Sequence, residues 1–131
     1  MIEIEKMKLV VIESPLSGDF GRNLIYAKLC MLDSLRRGEA PFASHLLYTQ
    51  VLDDTDPESR DRGMAAGFAW GKKCDLRAFY MDRGMSGGML RAYTMCQDCG
   101  EQFVFRYLPA DLLDVFKNRR VISATPGVNN V

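Results

Sequence analysis

The sequence predicts one α/β domain, in which a mainly parallel, four- to five-stranded sheet lies between two layers of helices. The chain has 131 residues, a length typical of a single hydrophobic core. Short apolar runs rich in β-branched and aromatic residues alternate with longer segments of helical periodicity. This alternation of strand and helix is typical of parallel strands joined by helical crossovers.

Two strands and two helices are predicted in the first half of the chain. The apolar run from Lys8 to Glu13 indicates a buried strand. Apolar residues at helical spacing predict a helix from about Arg22 to Arg37, which Gly38 ends. Pro41 to Ala43 forms a short second strand, and a second helix follows the N-cap Asp56 as far as about Lys73. The expected buried face of that helix consists of Met64, Ala65, Phe68 and Ala69.

The second half of the chain continues the alternation. Leu76 to Met81 is predicted to be the third strand, and Ser86 caps a helix that runs through Cys96. Aromatic residues alternate with other types from Gln102 to Leu108, which predicts a fourth strand. A short amphipathic helix from about Ala110 to Phe116 closes the domain, which we place at residues 1–117. Residues 118–131 contain Pro, Gly and Asn without periodicity and are interpreted as a flexible tail.

Composition argues against several classes of partner. Lys plus Arg and Asp plus Glu each number 17, whereas a nucleic-acid-binding domain normally carries a basic excess. The longest apolar run near the N-terminus, Leu9 to Ile12, is too short for a membrane span or a signal peptide. We therefore expect a cytoplasmic protein without nucleic-acid or membrane partners. Cys30 and Cys74 lie in apolar surroundings, as reduced core thiols do.

A ligand pocket is expected at one edge of the predicted sheet. In an open parallel sheet, ligands bind in the crevice beyond the carboxyl ends of the strands. This rule selects four segments as pocket walls: Ser14 to Asn23, Ser44 to Tyr48, the region around Asp75, and Arg83 to Met89.

The loop after the first strand supplies the first candidate ligand-binding residues, Ser14, Pro15 and Leu16. Free backbone amides at the start of the next helix can bind an anion, and Arg22 and Asn23 add a cation and an amide. The loop lacks the lysine and the glycine spacing of a P-loop. An ordinary turn is the alternative interpretation.

The second candidate site consists of Ser86, Gly87, Gly88 and Met89 at the start of a helix. Paired glycines permit a ligand to approach the backbone closely, although a glycine-rich cap without a ligand explains them as well. His45, the only histidine, follows the second strand and is either a ligand contact or a structural residue.

The spacing of Cys96 and Cys99 is that of redox and zinc sites. A structural zinc site needs four ligands, and the sequence has no second Cys-x-x-Cys and no pair of histidines. We therefore expect neither a metal within one chain nor a bound cofactor.

Several stretches together resemble the nucleoside 2-deoxyribosyltransferase superfamily, and most closely its uncharacterised phage- and prophage-borne branch. The similarity covers roughly residues 8 to 108. The stretches are Val10 to Asp19 with Arg22-Asn23, Ala43 to Tyr48 with Leu52-Asp53-Asp54, Glu58 to Gly71, and Cys74-Asp75 with Gly84 to Met89.

The resemblance implies a Rossmann-like sheet, a nucleoside pocket at its strand ends, and a glutamate that attacks the anomeric carbon of a deoxyribose. That glutamate belongs to a Ser-x-Gly-Met-x-x-Glu pattern, and the corresponding position here is Ala92. Asp75 matches a family aspartate, and Ser86 and Gly88 match the turn. Glu13, an acid at the end of the first strand, is a candidate substitute for the missing carboxylate.

Three functions follow as hypotheses. The first is a binding protein that holds, sequesters or senses a nucleoside or nucleotide without cleaving it. The second is an enzyme that acts on an N-glycosidic bond, with Asp75 or Glu13 as the catalytic carboxylate. The third is an interaction protein with a vestigial pocket. Because the family often assembles, we also expect a homo-oligomer.

Overall fold

The computed structural model describes residues 1–53 and 55–119. In these ranges a four-stranded sheet is flanked by five α-helices, so the predicted three-layer, Rossmann-like α/β class is confirmed. The elements are β1 (Leu9–Glu13), α1 (Phe20–Arg36), β2 (Ala40–Phe42), α2 (Ser44–Leu47), α3 (Pro57–Gly71), β3 (Leu76–Tyr80), α4 (Gly87–Cys99), β4 (Phe103–Arg106) and α5 (Ala110–Asn118). Short 3₁₀ turns lie at Ile4–Lys6 and Tyr48–Gln50.

The sheet is parallel throughout, with the strand order β2-β1-β3-β4. The chain moves from β1 to β2 in one direction and then crosses to β3 and β4 in the other. Because such crossovers are right-handed, α1 covers one face, whereas α3 and α4 cover the opposite face. The direction changes beside β1, and the crevice at its carboxyl end is where this topology places a ligand.

The face covered by α1 and α5 carries the larger apolar core. Val10 and Ile12 of β1 and Tyr80 of β3 are fully buried there. They pack against Tyr26 and Leu29 of α1, with Leu112 and Phe116 of α5 nearby. The alternating residues of each strand therefore point to this face, as the period of a strand requires.

An ion pair is buried in the same layer. The guanidinium of Arg106 donates two hydrogen bonds of 2.7 Å to the carboxylate of Glu39, and Ser34 donates a third of 2.8 Å. Tyr80 donates to Asp33 at 2.6 Å beside this pair. The network links β4 to the end of α1, which are far apart in sequence.

The opposite face carries a smaller core of aromatic and sulfur-containing side chains. Phe79 of β3 is fully buried against Met89, Ala92 and Cys96 of α4. Its ring also meets Phe103 of β4 edge to face, with the ring centroids 6.2 Å apart. Such edge-to-face pairs stabilise a core beyond the area that they bury.

The prediction for the buried face of α3 is partly wrong. Ala65 and Ala69 are exposed, whereas Gly67 and Gly71 are buried. A side chain at Gly67 would lie 2.5 Å from the hydroxyl oxygen of Ser44, the first residue of α2. The helix therefore approaches the domain through glycines, which periodicity of apolar residues cannot reveal.

The ends of the chain and the connections differ slightly from the predictions. Ser44–Leu47 forms a short helix, and Asn118 still belongs to α5, although we assigned it to the tail. Residues 120–131 of that assigned tail lie outside the described residues. None of the helices in the described part of the chain combines the length and the apolar character needed to cross a membrane.

Replacement of Glu39 with Ala should lower the free energy of unfolding by about 3 kcal/mol, because it leaves the guanidinium of Arg106 buried without its carboxylate. Chemical denaturation of the two proteins measures this difference. The matched control is Glu3→Ala, which removes an ion pair whose side chains are 59% and 80% exposed. The control should change stability by less than about 1 kcal/mol. Equal losses in the free energy of unfolding for Glu39→Ala and Glu3→Ala would contradict a stabilising role of the buried Glu39–Arg106 pair.

Candidate functional site, a cleft at the carboxyl edge of the sheet

A cleft open to solvent, with about 820 Å³ of empty volume, lies beyond the carboxyl end of β1. Its walls come from the loop after β1, from α2 and the turn that follows, from α3, and from the start of α4. The cleft therefore occupies the crevice that the strand order favours.

Glu13 places a carboxylate in this cleft and is the only acidic residue among its described lining residues. The carboxylate accepts a hydrogen bond of 2.6 Å from Arg77 of β3. In the register of the sheet Val11 pairs with Arg77 and Glu13 with Phe79, so the two charged residues are diagonal neighbours on one face. Burial raises the pKa of Glu13, and the charge of Arg77 opposes this shift.

The Arg77 guanidinium that orients Glu13 is itself buried, with a side chain only 3% exposed. It also approaches Glu101 at 3.4 Å and lies 5.8 Å from the ring centroid of Phe68. A methyl group at Gly71 would overlap its terminal nitrogen. Glycine at this position of α3 therefore makes room for the guanidinium that fixes the cleft carboxylate.

Ser14 and His45 meet on the cleft wall. The hydroxyl oxygen of Ser14 and the Nε2 atom of His45 are 2.8 Å apart, and this hydrogen bond connects the end of β1 to α2. Burial lowers the pKa of His45 to about 4, because the charged imidazolium loses its hydration. The imidazole is therefore neutral at neutral pH.

The start of α4 forms a third part of the wall. The hydroxyl of Ser86 accepts from the backbone N–H of Met89 at 3.2 Å, which makes Ser86 the N-cap. The first amides of a helix have no intrahelical acceptor, and Gly88, one of these residues, lines the cleft. This end of the helix can accept a polar or anionic ligand group.

Helix α3 and the turn before it supply lining residues that the sequence analysis did not assign. Arg60 and Ser59 from the first turns of α3 line the cleft, and Arg60 is exposed. Leu52, Met64 and Phe68 form an apolar wall beside them. The capping signal at Asp56 located the start of this helix, but nothing local in the sequence indicated that it faces the carboxyl end of β1.

The cleft brings together most of the residues that the sequence analysis selected. Those that line it are Glu13, Ser14, Leu16, His45, Ser86, Gly88 and Met89. Pro15 lies in the loop after β1, Arg22 and Asn23 lie in α1, and Gly87 is the first residue of α4; none of these four lines the cleft.

Arg22 and Asn23 have structural roles. Arg22 donates hydrogen bonds to the carbonyls of Phe116 and Arg119, and its guanidinium lies 4.1 Å from the ring centroid of Phe116. The side-chain amide of Asn23 donates to the carbonyls of Leu16 and Ser17 at 3.1 Å each. One residue therefore anchors the end of α5, and the other fixes the shape of the loop after β1.

The structure corrects the placement of Asp75. This residue precedes β3, so it lies at the amino edge of the sheet and does not line the cleft. Its carboxylate accepts from the backbone N–H of Leu9 at 2.8 Å, at the start of β1. The prediction that this region forms a pocket wall is wrong, because a residue directly before a strand of this parallel sheet lies at the amino edge, opposite the cleft.

Ala92 faces the core instead of the cleft. It is 1% exposed and packs in the cluster of Phe79, Met89 and Cys96. Cys96 is buried in this cluster, whereas Cys99 is exposed at the end of α4. Within residues 1–53 and 55–119, no group of three or more His, Cys, Asp and Glu side chains is placed to bind a metal ion.

A family model described as a domain of unknown function, DUF7768, matches residues 8–106. No curated protein and no solved structure matches the chain. The matched region extends from the residue before β1 to the last residue of β4, so it contains the whole sheet and the residues that line the cleft.

Burial of His45 should make stability depend on pH. The unfolded chain binds a proton near pH 6.5, whereas the folded protein does so only near pH 4. Stability should therefore be lost as the pH falls below 6.5, by about 2 kcal/mol at pH 5. Denaturation curves of the wild type and of His45→Gln at pH 7 and pH 5 measure this loss. Carboxylates titrate in both proteins, so the difference between the two losses in the free energy of unfolding is the contribution of His45. Equal losses in the two proteins would contradict the prediction.

Proposed function

The chain belongs to the DUF7768 family, a domain of unknown function, and we propose that its cleft binds a nucleoside or a nucleotide. The observation that carries this proposal is the position of the cleft at the carboxyl end of β1, where the loop of the first strand and the start of α4 face one volume. Nucleotides bind to α/β sheets of this kind at the same place.

The composition of the wall suits the three parts of a nucleotide. Apolar and aromatic side chains such as Leu52, Met64 and Phe68 offer a surface for a base. The hydroxyl groups of Ser14 and Ser44 can hydrogen-bond to sugar hydroxyls. Arg60 and Ser59, together with the start of α3, offer a charge and donors for a phosphate.

The resemblance to nucleoside 2-deoxyribosyltransferases supports the same class of ligand. Ala92 occupies the position of the attacking glutamate in that superfamily, and its side chain is buried away from the cleft. We therefore favour a protein that binds its nucleotide without cleaving it. In the phage or prophage setting that the resemblance implies, such a protein would sequester or sense nucleotides.

Titration calorimetry with a panel of nucleosides and their 5′-monophosphates tests this proposal. At least one ligand should bind, and Arg60→Ala should weaken binding of a monophosphate by about 10-fold or more while leaving the nucleoside unaffected. Arg62→Ala is the matched control, because Arg62 pairs with Glu58 at 3.7 Å on the same helix and does not line the cleft. It should leave both affinities unchanged.

Mass spectrometry of small molecules released from the purified protein by heat gives the first indication of the ligand. A co-purifying nucleotide would support sequestration and identify the base. Absence of binding throughout the calorimetric panel would overturn the proposal.

The position of Glu13 favours a second candidate function, cleavage of an N-glycosidic bond. Its carboxylate lines the cleft and is oriented by Arg77, whereas Asp75 lies at the other edge of the sheet. In this reaction the carboxylate would attack the anomeric carbon as the bond to the base breaks and the base takes a proton from water. A second water would then add its hydroxyl to the anomeric carbon as the bond to Glu13 breaks, and its remaining proton would pass to the hydroxide left by the first water.

An assay of the second function incubates the protein with nucleosides and nucleotides. Chromatography then measures how much free base is released. Glu13→Gln should reduce the rate by at least about 100-fold, because an amide cannot form the covalent intermediate. Asp75→Asn should keep the wild-type rate, since its amide oxygen can still accept from Leu9. An inactive wild type, or a loss of activity in Asp75→Asn alone, would contradict the role of Glu13.

A further inference from the structure

The contact between Ser14 and His45 is arranged as a nucleophile beside a base. Ser14 is the first residue after β1, and His45 lies in the single turn of α2. Their Oγ and Nε2 atoms are 2.8 Å apart, within the distance over which a hydroxyl proton passes to an imidazole. Both residues line the cleft, and Ser14 is 6% exposed.

His45 is unprotonated at neutral pH and so has a nitrogen that can accept a proton. His45 is neutral above about pH 4, because burial lowers its pKa. In the tautomer with its proton on Nδ1, its Nε2 atom accepts the hydrogen bond from the Ser14 hydroxyl. A neutral imidazole in that position can accept the proton of a hydroxyl, and the burial that lowers its pKa also makes it a weaker base than a free imidazole.

Donors for a developing negative charge lie on the same cleft. Ser86 uses its side chain to cap the N–H of Met89, so the first-turn amides at Gly87 and Gly88 are left for other acceptors. Gly88 lines the cleft together with Ser14 and His45. Backbone amides at a helix start can stabilise the oxyanion that forms when a hydroxyl attacks an acyl carbon.

The charges around Ser14 favour an acyl group over a phosphoryl group. The neighbouring residue, Glu13, places its carboxylate in the same cleft. Its partner Arg77 is already shared between Glu13 and Glu101. A dianionic phosphoryl group would meet net negative charge here on binding, whereas a neutral ester becomes anionic only as the oxyanion forms, where the amides at the start of α4 can stabilise it.

We propose that Ser14 and His45 form a nucleophile–base pair that hydrolyses a small carboxylic ester in the cleft. The Oγ atom of Ser14 bonds to the acyl carbon, and its proton passes to Nε2 of His45. The bond to the alcohol breaks, and the alcohol leaves with that proton. Water then gives a proton to His45 and a hydroxyl to the acyl carbon, and the carboxylic acid is released as Ser14 recovers its hydrogen.

A fluorophosphonate probe tests this pair in the intact protein without any nucleotide, so the result is independent of nucleotide binding. The hydroxyl of an activated serine displaces fluoride from the probe and remains covalently phosphonylated. Mass spectrometry of the digested protein should locate the adduct on Ser14, and Ser14→Ala should abolish it. Hydrolysis of p-nitrophenyl acetate should fall in the same variant.

His45→Gln separates a catalytic role from a structural one. The glutamine amide can still accept the hydrogen bond from Ser14 and keep β1 tied to α2, but it cannot take the proton. The labelling rate should fall by about 100-fold or more in a variant whose circular dichroism spectrum at pH 7 matches the wild type. Absence of an adduct on Ser14 in the wild type, or an unchanged labelling rate in His45→Gln, would overturn the proposal.

Discussion

Arg77 places a guanidinium between the sheet and the two helices that cover it, and its ion pairs connect three elements in one layer. Glu13 comes from the end of β1, and Glu101 comes from the turn before β4. Burial of an unpaired guanidinium would cost several kcal/mol, and these carboxylates offset that cost. The carboxylate in the cleft is thus oriented by the same interaction that compensates a buried charge.

This constraint also explains the composition of α3. A helix that covers a buried arginine must approach it closely, and the glycine at position 71 allows that approach. Gly67 allows a similar approach to Ser44 at the start of α2. The two glycines lie four residues apart and so on one side of the helix. Because they have no side chains, α3 lies close to α2, and the space between these helices, where the cleft forms, is narrow.

The two faces of the sheet have different roles in the fold. Alternation along β3 sends Tyr80 to the face of α1 and α5, where an apolar core and the Glu39–Arg106 pair stabilise the domain. The same alternation sends Arg77 and Phe79 to the face of α3 and α4. The cleft lies where this second layer ends at the carboxyl edge. Because successive residues of a strand point to opposite faces, the larger core and the cleft lie on different faces of the sheet.

The sequence allowed the strands and the main helices to be placed within a few residues. Apolar runs and capping residues such as Asp56 and Ser86 act over a few positions, and the structure confirms the starts of α3 and α4 that they predicted. The rule for parallel sheets then assigned the loop after β1, His45 and the start of α4 to one edge. The same reasoning failed for Asp75, because the residue precedes its strand and so belongs to the opposite edge.

The sequence by itself therefore determined the class of the domain, the order of its main elements and three of the segments that meet at the carboxyl edge, because periodicity, capping and chain direction are local properties. Only the tertiary structure decided which side chains meet. Glu13 and Arg77 are 64 residues apart, and their contact depends on the register between β1 and β3. Ser14 and His45 are 31 residues apart and meet because α2 packs beside the end of β1. Contacts of this kind arise from the packing of whole elements, so no local pattern in the chain reveals them.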